Sequence, residues 1–260
     1  MHVSAMLSDI DGPACRPVAC RPLGADRNLV RVAVLETSGL AAADVTAMQA
    51  MLDAKRQAIA ASIRLPAQRT DFIAAHSLLR SLLQQSFGVP GAMWTFGATD
   101  LGQPVVLSPA AMRGVRISLS HAKGVVAVAV ARGAEIGVDV ERTSADVERL
   151  HIGERFFAPA EAAHLRRLDD IAALHDFTAL WTLKEAYTKA IGKGFAQPFR
   201  SFSFVLSEPP RIEFHDPALG DARRWRFWRT FERGFHLAAA YAFDDPARDV
   251  ELELIRWQLH

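Results

Sequence analysis

Two acidic residues on a strand and an acid–lysine pair on a helix are the residues whose spacing could support chemistry. In IGVDVE, residues 136–141, apolar and polar positions alternate, so Asp139 and Glu141 share one strand face. Residues two apart on a strand lie about 6.6–6.8 Å apart at Cα, so two carboxylates can converge on one cation. Glu185 and Lys189 are four apart in a helical segment and are therefore neighbours. With Glu185, the three carboxylates form a ligand set that suits Mg²⁺, completed by waters and phosphate oxygens.

Each part of this pattern also has a structural explanation. The acids of D-x-E can lie on an exposed strand face, where water solvates them. The Glu185–Lys189 pair can be a surface salt bridge, worth only about 0.3–0.5 kcal/mol. On spacing alone, both interpretations stay open.

The helix that carries Glu185 is predicted over residues 171–191, because no Gly or Pro interrupts that segment. Asp170 is the predicted N-terminal cap, and Gly192 ends the helix. Helical periodicity places Leu174, Phe177, Leu180, Trp181 and Ile191 on an apolar side, and Thr178, Thr182, Glu185 and Lys189 on a polar face.

The remaining pattern predicts an α+β chain of two halves, each running strand, helices, strands. Residues 1–28 are expected to form an irregular leader, 29–132 an N-terminal half and 133–260 a C-terminal half that carries the metal site. The predicted helices are 40–63, 69–87, 144–151, 159–168 and 171–191. The predicted strands are 29–36, 94–96, 105–107, 115–119, 125–130, 136–141, 201–206, 211–214, 224–230 and 235–243, with residues 120–124 as a five-residue hairpin loop.

Composition is that of an ordinary soluble protein. Half of the 260 residues are hydrophobic, 23% are charged and the net charge is +1, so we expect no nucleic-acid or membrane partner. No apolar run approaches the ~20 residues of a membrane span, and the N-terminus does not resemble a signal peptide. We therefore expect a cytoplasmic monomer in which Cys15 and Cys20 are reduced thiols.

Ser120 and His121 suggest a nucleophile, but no G-x-S-x-G motif surrounds them. His121 is therefore interpreted as either a structural residue or a phosphate contact. No phosphate-binding P-loop is present, because the glycines of Gly192-Lys-Gly194 follow a helix and do not precede one.

Several motifs occur together in one order. They are Arg69, S-x-S-H at 118–121, G-V-D-V-E at 137–141, F-F-x-x-x-E at 156–161 and W-T-L-K-E-A-x-x-K-x-x-G-K-G at 181–194. This combination, over about residues 30–245, resembles the Sfp-type 4′-phosphopantetheinyl transferases. The resemblance implies a pseudo-twofold α+β fold whose halves enclose coenzyme A, and transfer of phosphopantetheine to a serine of an apo acyl or peptidyl carrier protein.

The resemblance also implies a role for each matching residue. Asp139, Glu141 and Glu185 would hold Mg²⁺, with Mn²⁺ as an alternative, against the pyrophosphate of coenzyme A. Lys189 would neutralise or protonate the departing phosphate, Lys184 would lie beside a phosphate, and Glu161 would lie beside the attacking hydroxyl. Arg69, Ser120 and His121, with Lys55 or Arg56, would surround the 3′-phosphate of the nucleotide.

Two departures and two alternatives accompany the resemblance. Gln103 stands where the family often has the lysine of G-K-P, and the leader at 1–28 has no counterpart. A metal-dependent nuclease of the D…E-x-K kind is one alternative, but its Glu and Lys are usually two apart on a strand. An inactive coenzyme-A-binding scaffold is the other, and the intact acids and Lys189 argue against it.

Overall fold

The structure is a computed structural model that describes residues 29–245 and 250–257. Its mixture of helices and sheets, in which most strand pairs are antiparallel, confirms the α+β fold class. The described residues form two compact units, 29–134 with 250–257, and 135–245. The predicted leader, with Cys15 and Cys20, lies outside the described residues. In the part of the chain that the structure describes, no helix is both long and apolar enough to cross a membrane.

The first unit contains one six-stranded sheet and three helices. Its elements are β1 (Leu29–Glu36), α1 (Ala42–Ala50), α2 (Ala54–Ser62), α3 (Pro66–Phe87), β2 (Thr95–Ala98), β3 (Pro104–Ser108), β4 (Val115–Ala122), β5 (Val125–Arg132) and, from the C-terminus, the strand Glu251–Trp257. The strand order is Glu251–Trp257, β1, β5, β4, β3, β2. The core of this unit includes Leu79, Leu82 and Leu83 of α3 together with Val126 and Val128 of β5.

The second unit repeats the order of one strand, three helices and four strands. Its elements are β6 (Ala134–Arg142), α4 (Arg149–Phe156), α5 (Pro159–Leu165), α6 (Asp170–Ala190), β7 (Phe202–Val205), β8 (Arg211–Phe214), β9 (Trp225–Glu232) and β10 (Phe235–Phe243); the C-terminal strand of the first unit is then β11. A three-stranded sheet has the order β6, β10, β9, and β7 pairs with β8. The apolar side of α6 packs with Ala238, Ala240 and Ala242 of β10 in the core of this unit.

The C-terminal residues depart from the predicted division of the chain. The boundary between units lies within two residues of the predicted one at 132/133, but β11, which was not predicted, belongs to the first unit. β11 pairs in parallel with β1, from Leu29↔Glu251 to Leu35↔Trp257. Its side chains Leu252, Leu254 and Ile255 are buried, so this strand contributes to the first unit's core.

Three of the predicted helix boundaries differ in the structure. The predicted helix 40–63 is two helices, because the carboxylate of Asp53 caps the second by accepting from the Arg56 backbone N–H. The cap of α6 is Asp169, not Asp170, since the Asp169 side chain accepts from Ile171 N and Ala172 N. The helix predicted to start at Arg69 starts at Pro66, a residue suited to the first helical position.

The predicted five-residue hairpin loop is a two-residue turn. Ala122 pairs with Val125, so only Lys123 and Gly124 form the turn between β4 and β5. Gly124 has φ +77°, a conformation that glycine adopts without steric cost. Ser120 and His121 are therefore strand residues.

Candidate active site

A close approach between β6 and α6 positions the acidic residues of the second unit. A Cβ placed on Gly137 would lie 1.9 Å from the backbone oxygen of Ala186 and 2.6 Å from the backbone nitrogen of Ala190. Only a residue without a side chain allows the strand to cross the helix at this distance. Asp139 lies two residues further along the same strand face, which brings it beside the last turn of α6.

An ion pair joins the strand and the helix at this point. The Lys189 ammonium donates to Oδ1 of Asp139 at 2.6 Å. The side chain of Asp139 is only 5% exposed, whereas that of Lys189 is 27% exposed. The predicted neighbour of Lys189 was Glu185, so its close contact with Asp139 is a finding that the helical spacing alone did not indicate.

The two glutamates nearby hold their protons more tightly than ordinary carboxyls. Burial, together with the negative charge of Asp139, raises the pKa of Glu141 to about 7. Burial and Asp139 likewise raise the pKa of Glu185 to about 7. Oε1 of Glu185 is buried and has no hydrogen-bond partner. A local excess of negative charge of this kind is relieved by a cation.

The donor chemistry of these residues fits Mg²⁺, a hard cation that binds carboxylate oxygens. The buried oxygen of Glu185 and the raised pKa values of Glu141 and Glu185 are consistent with a site that accepts positive charge. Within residues 29–245 and 250–257, however, no three His, Cys, Asp or Glu side chains are already arranged to hold a metal ion. In this structure, the positively charged group beside Asp139 is the ammonium of Lys189.

Glu161 and Lys184 form a buried pair with a structural task. The Lys184 ammonium is fully buried and donates to Oε2 of Glu161 at 2.8 Å and to the carbonyl oxygens of Phe199 and Phe202. Glu161 in turn accepts from the backbone N–H groups of Ala158 and Phe204. Burial lowers the pKa of Lys184 and raises that of Glu161, while their contact opposes both shifts.

These contacts correct the resemblance-based roles of Glu161 and Lys184. All three Lys184 donors have protein acceptors, and each Glu161 oxygen has a partner, so neither group faces a substrate here. The first-turn position of Glu161 in α5 is as predicted. Thr178 and Thr182 also differ from prediction, because both are buried and their hydroxyls donate to carbonyls one turn earlier in α6.

Some of the side chains predicted to contact phosphate in the first unit already bind other groups of the protein. Arg69 is the fourth residue of α3, and its guanidinium donates twice to the carbonyl oxygen of Ile63 at the end of α2. Arg69 therefore does not open the helix, as the predicted span 69–87 implied, and these contacts do not involve Asp71. Asp71 instead accepts from the Thr37 hydroxyl and from the Gly124 backbone N–H.

Arg56 belongs to a charged cluster, whereas Lys55 is exposed. Arg56 pairs with Asp53 at 2.8 Å and donates to Nδ1 of His76. Arg80 pairs with the same Asp53 oxygen. Burial alone would raise the pKa of Asp53, but hydrogen bonds from Arg56 and the charges of both arginines lower it to about 2. Arg56 therefore already has an anionic partner inside the protein.

Ser120 and His121 lie next to each other on β4 but on opposite faces. Ser120 is buried and His121 is exposed, as alternation along a strand requires. This placement gives His121, and not Ser120, access to a solute.

Comparison with known proteins identifies the family. Residues 135–240, which contain β6, α6 and the acidic residues, match the family described as the 4′-phosphopantetheinyl transferase superfamily. The 4′-phosphopantetheinyl transferase HetI from Nostoc sp. is 35% identical over 169 residues, which cover 64% of this chain and 70% of HetI. The chain belongs to the 4′-phosphopantetheinyl transferase superfamily.

The chain is also similar to a second curated transferase and to a solved structure. The 4′-phosphopantetheinyl transferase Sfp from Bacillus subtilis (strain 168) is 25% identical over 177 residues, covering 67% of this chain and 75% of Sfp. The solved holo-[acyl-carrier-protein] synthase (AcpS) from Neisseria meningitidis aligns with a TM-score of 0.35 and 20% identity, over 42% of this chain and 96% of that one. The suspected family and enzyme class are thus confirmed by HetI and by the family match.

Arg149 is a residue near the acidic cluster of the transferase that sequence reasoning missed. It is the first residue of α4, its guanidinium lies 5.6 Å from the ring centroid of Phe177, and its charge opposes the rise in the pKa of Glu141. The predicted helix 144–151 would have placed this residue at a helix end. No motif marks Arg149, because its proximity to Glu141 arises from packing between elements distant in sequence.

Proposed function

We propose that the transferase moves the 4′-phosphopantetheine group of coenzyme A to a serine hydroxyl of an apo acyl or peptidyl carrier protein, with Mg²⁺, and releases 3′,5′-ADP. The supporting observation is the carboxylate cluster of the second unit, where buried Asp139 lies against Lys189 and two glutamates have raised pKa values. The family match over residues 135–240 supports the same activity.

Mg²⁺, or Mn²⁺ in its place, would be held by Asp139, Glu141 and Glu185 and would stabilise negative charge on the phosphate oxygens. In the reaction, the serine oxygen forms a bond to the β-phosphorus as the bond from that phosphorus to the bridging oxygen of 3′,5′-ADP breaks, and the proton of the serine hydroxyl is released. Such phosphoryl transfer depends mainly on positioning and on neutralising charge. The task of the three carboxylates is therefore to fix one cation at one place.

Lys189 supplies positive charge that the site needs in order to bind a pyrophosphate. Three carboxylates and one Mg²⁺ sum to −1, so a pyrophosphate would be repelled without further cations. Lys189 lies one helical turn from Glu185, where an ammonium can stabilise the leaving phosphate. Arg149 adds a second positive charge near Glu141.

The roles of Arg69, Ser120, His121, Lys55 and Arg56 at the 3′-phosphate stay predictions. Among them, exposed His121 and Lys55 have the accessible side chains that such a contact needs. Arg56 and Arg69 would have to keep or exchange their contacts with Asp53 and Ile63.

Mass spectrometry of an apo carrier protein tests this function. After incubation with the transferase, coenzyme A and Mg²⁺, the carrier should gain the mass of one phosphopantetheine group, and excess chelator should prevent the gain. Glu185→Gln should lose this activity, whereas Glu213→Gln, the same change at an exposed residue of β8, should keep it.

Two other outcomes would contradict the proposal. Binding of coenzyme A without any mass gain, across acyl and peptidyl carriers, would indicate a scaffold. Metal-dependent cleavage of DNA that Glu185→Gln abolishes would indicate a nuclease.

A further inference from the structure

The contact between Lys189 and Asp139 has a role beyond leaving-group stabilisation. Asp139 is almost completely buried, and a buried carboxylate without a cation close to it is strongly disfavoured. The Lys189 ammonium approaches Oδ1 of Asp139 to 2.6 Å, slightly closer than the about 2.7–2.9 Å that is usual for a charge-assisted N–H···O hydrogen bond. The positive charge at this carboxylate is thus supplied by the protein.

We propose that Lys189 is the counter-ion of Asp139 whenever no divalent cation is bound, and that a divalent cation takes its place at Oδ1 of Asp139 and thereby releases the ammonium to contact phosphate. This inference rests on the proposed function, since it assigns the cation to Asp139. Lys189 would then have two positions: beside Asp139 when no divalent cation is bound, and beside phosphate when one is bound.

The chemistry of the lysine side chain suits such an exchange. Its ammonium is a point charge with three rotatable donors on a flexible stem of four carbons. The side chain of Lys189 is partly exposed, so it can move without unpacking the core, whereas Asp139 is fixed between β6 and α6. Lys189 contacts Oδ1 of Asp139, and a divalent cation on that same oxygen would repel the ammonium at close range, so a cation that binds Oδ1 displaces Lys189 from it.

Because a divalent cation must displace the Lys189–Asp139 contact, the free energy of that contact is subtracted from the free energy of metal binding. A hydrogen bond between charged groups corresponds to about a 10- to 150-fold change in affinity. The lysine therefore sets the metal affinity of the protein before coenzyme A binds. Once pyrophosphate is present, the freed ammonium gains a new anionic partner and the competition disappears.

Titration with Mn²⁺ in the absence of coenzyme A tests the competition. Free Mn²⁺ is followed by electron paramagnetic resonance at pH 8, above the raised pKa values of Glu141 and Glu185. Lys189→Met and Lys189→Gln should each bind Mn²⁺ at least about tenfold more tightly than the wild type. Lys193→Met is the matched control, because Lys193 lies four residues further on and contacts Gln197; its affinity should equal that of the wild type. Equal or weaker binding by both Lys189 variants would overturn the inference.

A second measurement uses only the wild-type protein, so it does not depend on the folding of a variant. An amine-selective acylating reagent is applied with and without saturating Mg²⁺, and the labelled lysines are quantified by peptide mass spectrometry. Labelling of Lys189 should increase on addition of Mg²⁺, while labelling of Lys193 should not change. Unchanged or reduced labelling of Lys189 would contradict its release from Asp139.

The two proposals can fail separately. If the carrier protein is modified but Mn²⁺ binds equally to all variants, the exchange is wrong and the function stands. If the affinities differ as expected but no carrier gains mass, the exchange stands and the function is wrong.

Discussion

Burial decides what the charged side chains of Glu161 and Lys184 can do. Their motif positions implied contacts with a hydroxyl and a phosphate, but both side chains lie in the core, and the ammonium is 4.4 Å from the ring centroid of Phe202. The pair links the start of α5 to α6 and to the backbone of residues 199–204. It therefore holds in place the helix that carries Glu185 and Lys189.

A double-mutant cycle tests this structural role. Lys184→Met should lower the free energy of unfolding by about 3–5 kcal/mol, because it leaves the Glu161 carboxylate buried without its cation. Adding Glu161→Gln should recover part of that loss, since the remaining amide is neutral. Urea denaturation measures the coupling, and additive losses would contradict it.

The activity of Glu161→Gln tests the same assignment at a temperature where this variant is folded. Its kcat should stay within a few-fold of the wild type. A loss of a hundredfold or more would restore the resemblance-based role of Glu161 at the hydroxyl.

His236 should make the protein less stable in acid. Burial, with the positive charge that nearby His175 and Arg229 contribute, lowers the pKa of His236 to about 3, from an ordinary value of 6.5. The folded state therefore keeps this imidazole neutral while the unfolded state binds a proton. The stability that this provides is complete above pH 6.5 and is lost as pH falls towards 3. Each pH unit in this window corresponds to about 1.4 kcal/mol.

The measurement compares the pH dependence of unfolding in two variants. Between pH 7.5 and pH 4.5, the free energy of unfolding of His236→Gln should fall by about 2–3 kcal/mol less than that of the wild type. His151→Gln makes the same change at a residue whose side chain is 72% exposed, and its profile should follow the wild type. Parallel profiles for His236→Gln and the wild type would show that His236 does not titrate in this way.

At the scale of elements, the crossing of β6 over α6 determines the geometry of the site. Gly137, Ala186 and Ala190 are small residues that meet at the crossing. Asp139 lies two residues after Gly137 and is paired with Lys189, one residue before Ala190. The short distance between strand and helix is thus the reason why Asp139 and Lys189 touch.

Gly137→Ala should disturb both the fold and the site. The added methyl group would overlap backbone atoms of α6, which cannot move as a side chain can. We therefore expect a loss of about 3 kcal/mol, at the upper end of the usual range for overpacking, in the free energy of unfolding, together with loss of transfer. Gly114→Ala is the control, because nothing lies within 4 Å of the corresponding Cβ. Thermal unfolding and the carrier assay measure the two effects. Wild-type stability and activity in Gly137→Ala would disprove the close approach.

Elements with strong periodicity were predictable from the sequence, and their ends were less so. Alternation located β1 and β6, and the uninterrupted segment located α6. The break at Asp53 was missed because a capping carboxylate competes with a continuing helix through local hydrogen bonds. The buried threonines were missed because a helical wheel counts polarity, whereas Thr178 and Thr182 satisfy their hydroxyls within α6.

The residues of the site were also predictable only in part. Asp139, Glu141, Glu185 and Lys189 could be selected from spacing and motif, because these features are local in sequence. The Lys189–Asp139 contact joins residues 50 positions apart, and it follows from the strand–helix crossing. The same reason applies to Arg149 and to the Glu161–Lys184 pair.

At the scale of the whole molecule, the chain returns to its first unit at the end. β11 lies beside β1 in parallel, and Glu253 pairs with buried Arg31 at 2.6 Å. Parallel strands need a long connection, and here the second unit lies between the two strands in sequence. The first unit therefore cannot be completed until the second has been synthesised.

Leu254→Ala should show that β11 is part of the core. Leu254 is 2% exposed, so truncation should lower the free energy of unfolding by about 2–5 kcal/mol. Glu251→Ala, at the exposed start of the same strand, should change it by less than about 0.5 kcal/mol. Hydrogen exchange should show reduced protection of the backbone amides in β1 as well as in β11. If Leu254→Ala leaves the protection of β1 unchanged, the pairing of these strands is wrong.

The Mg²⁺ dependence of carrier modification, measured together with 3′,5′-ADP release, tests the central claim most directly. For the wild type, we expect no turnover in excess chelator, a saturable increase with Mg²⁺, and one 3′,5′-ADP for each modified carrier. Glu185→Gln should reduce kcat by at least about a hundredfold at saturating coenzyme A, because it removes one of the three proposed carboxylate ligands of the cation. Turnover that is insensitive to chelator, or a wild-type rate in Glu185→Gln, would contradict a carboxylate-held cation as the centre of the reaction.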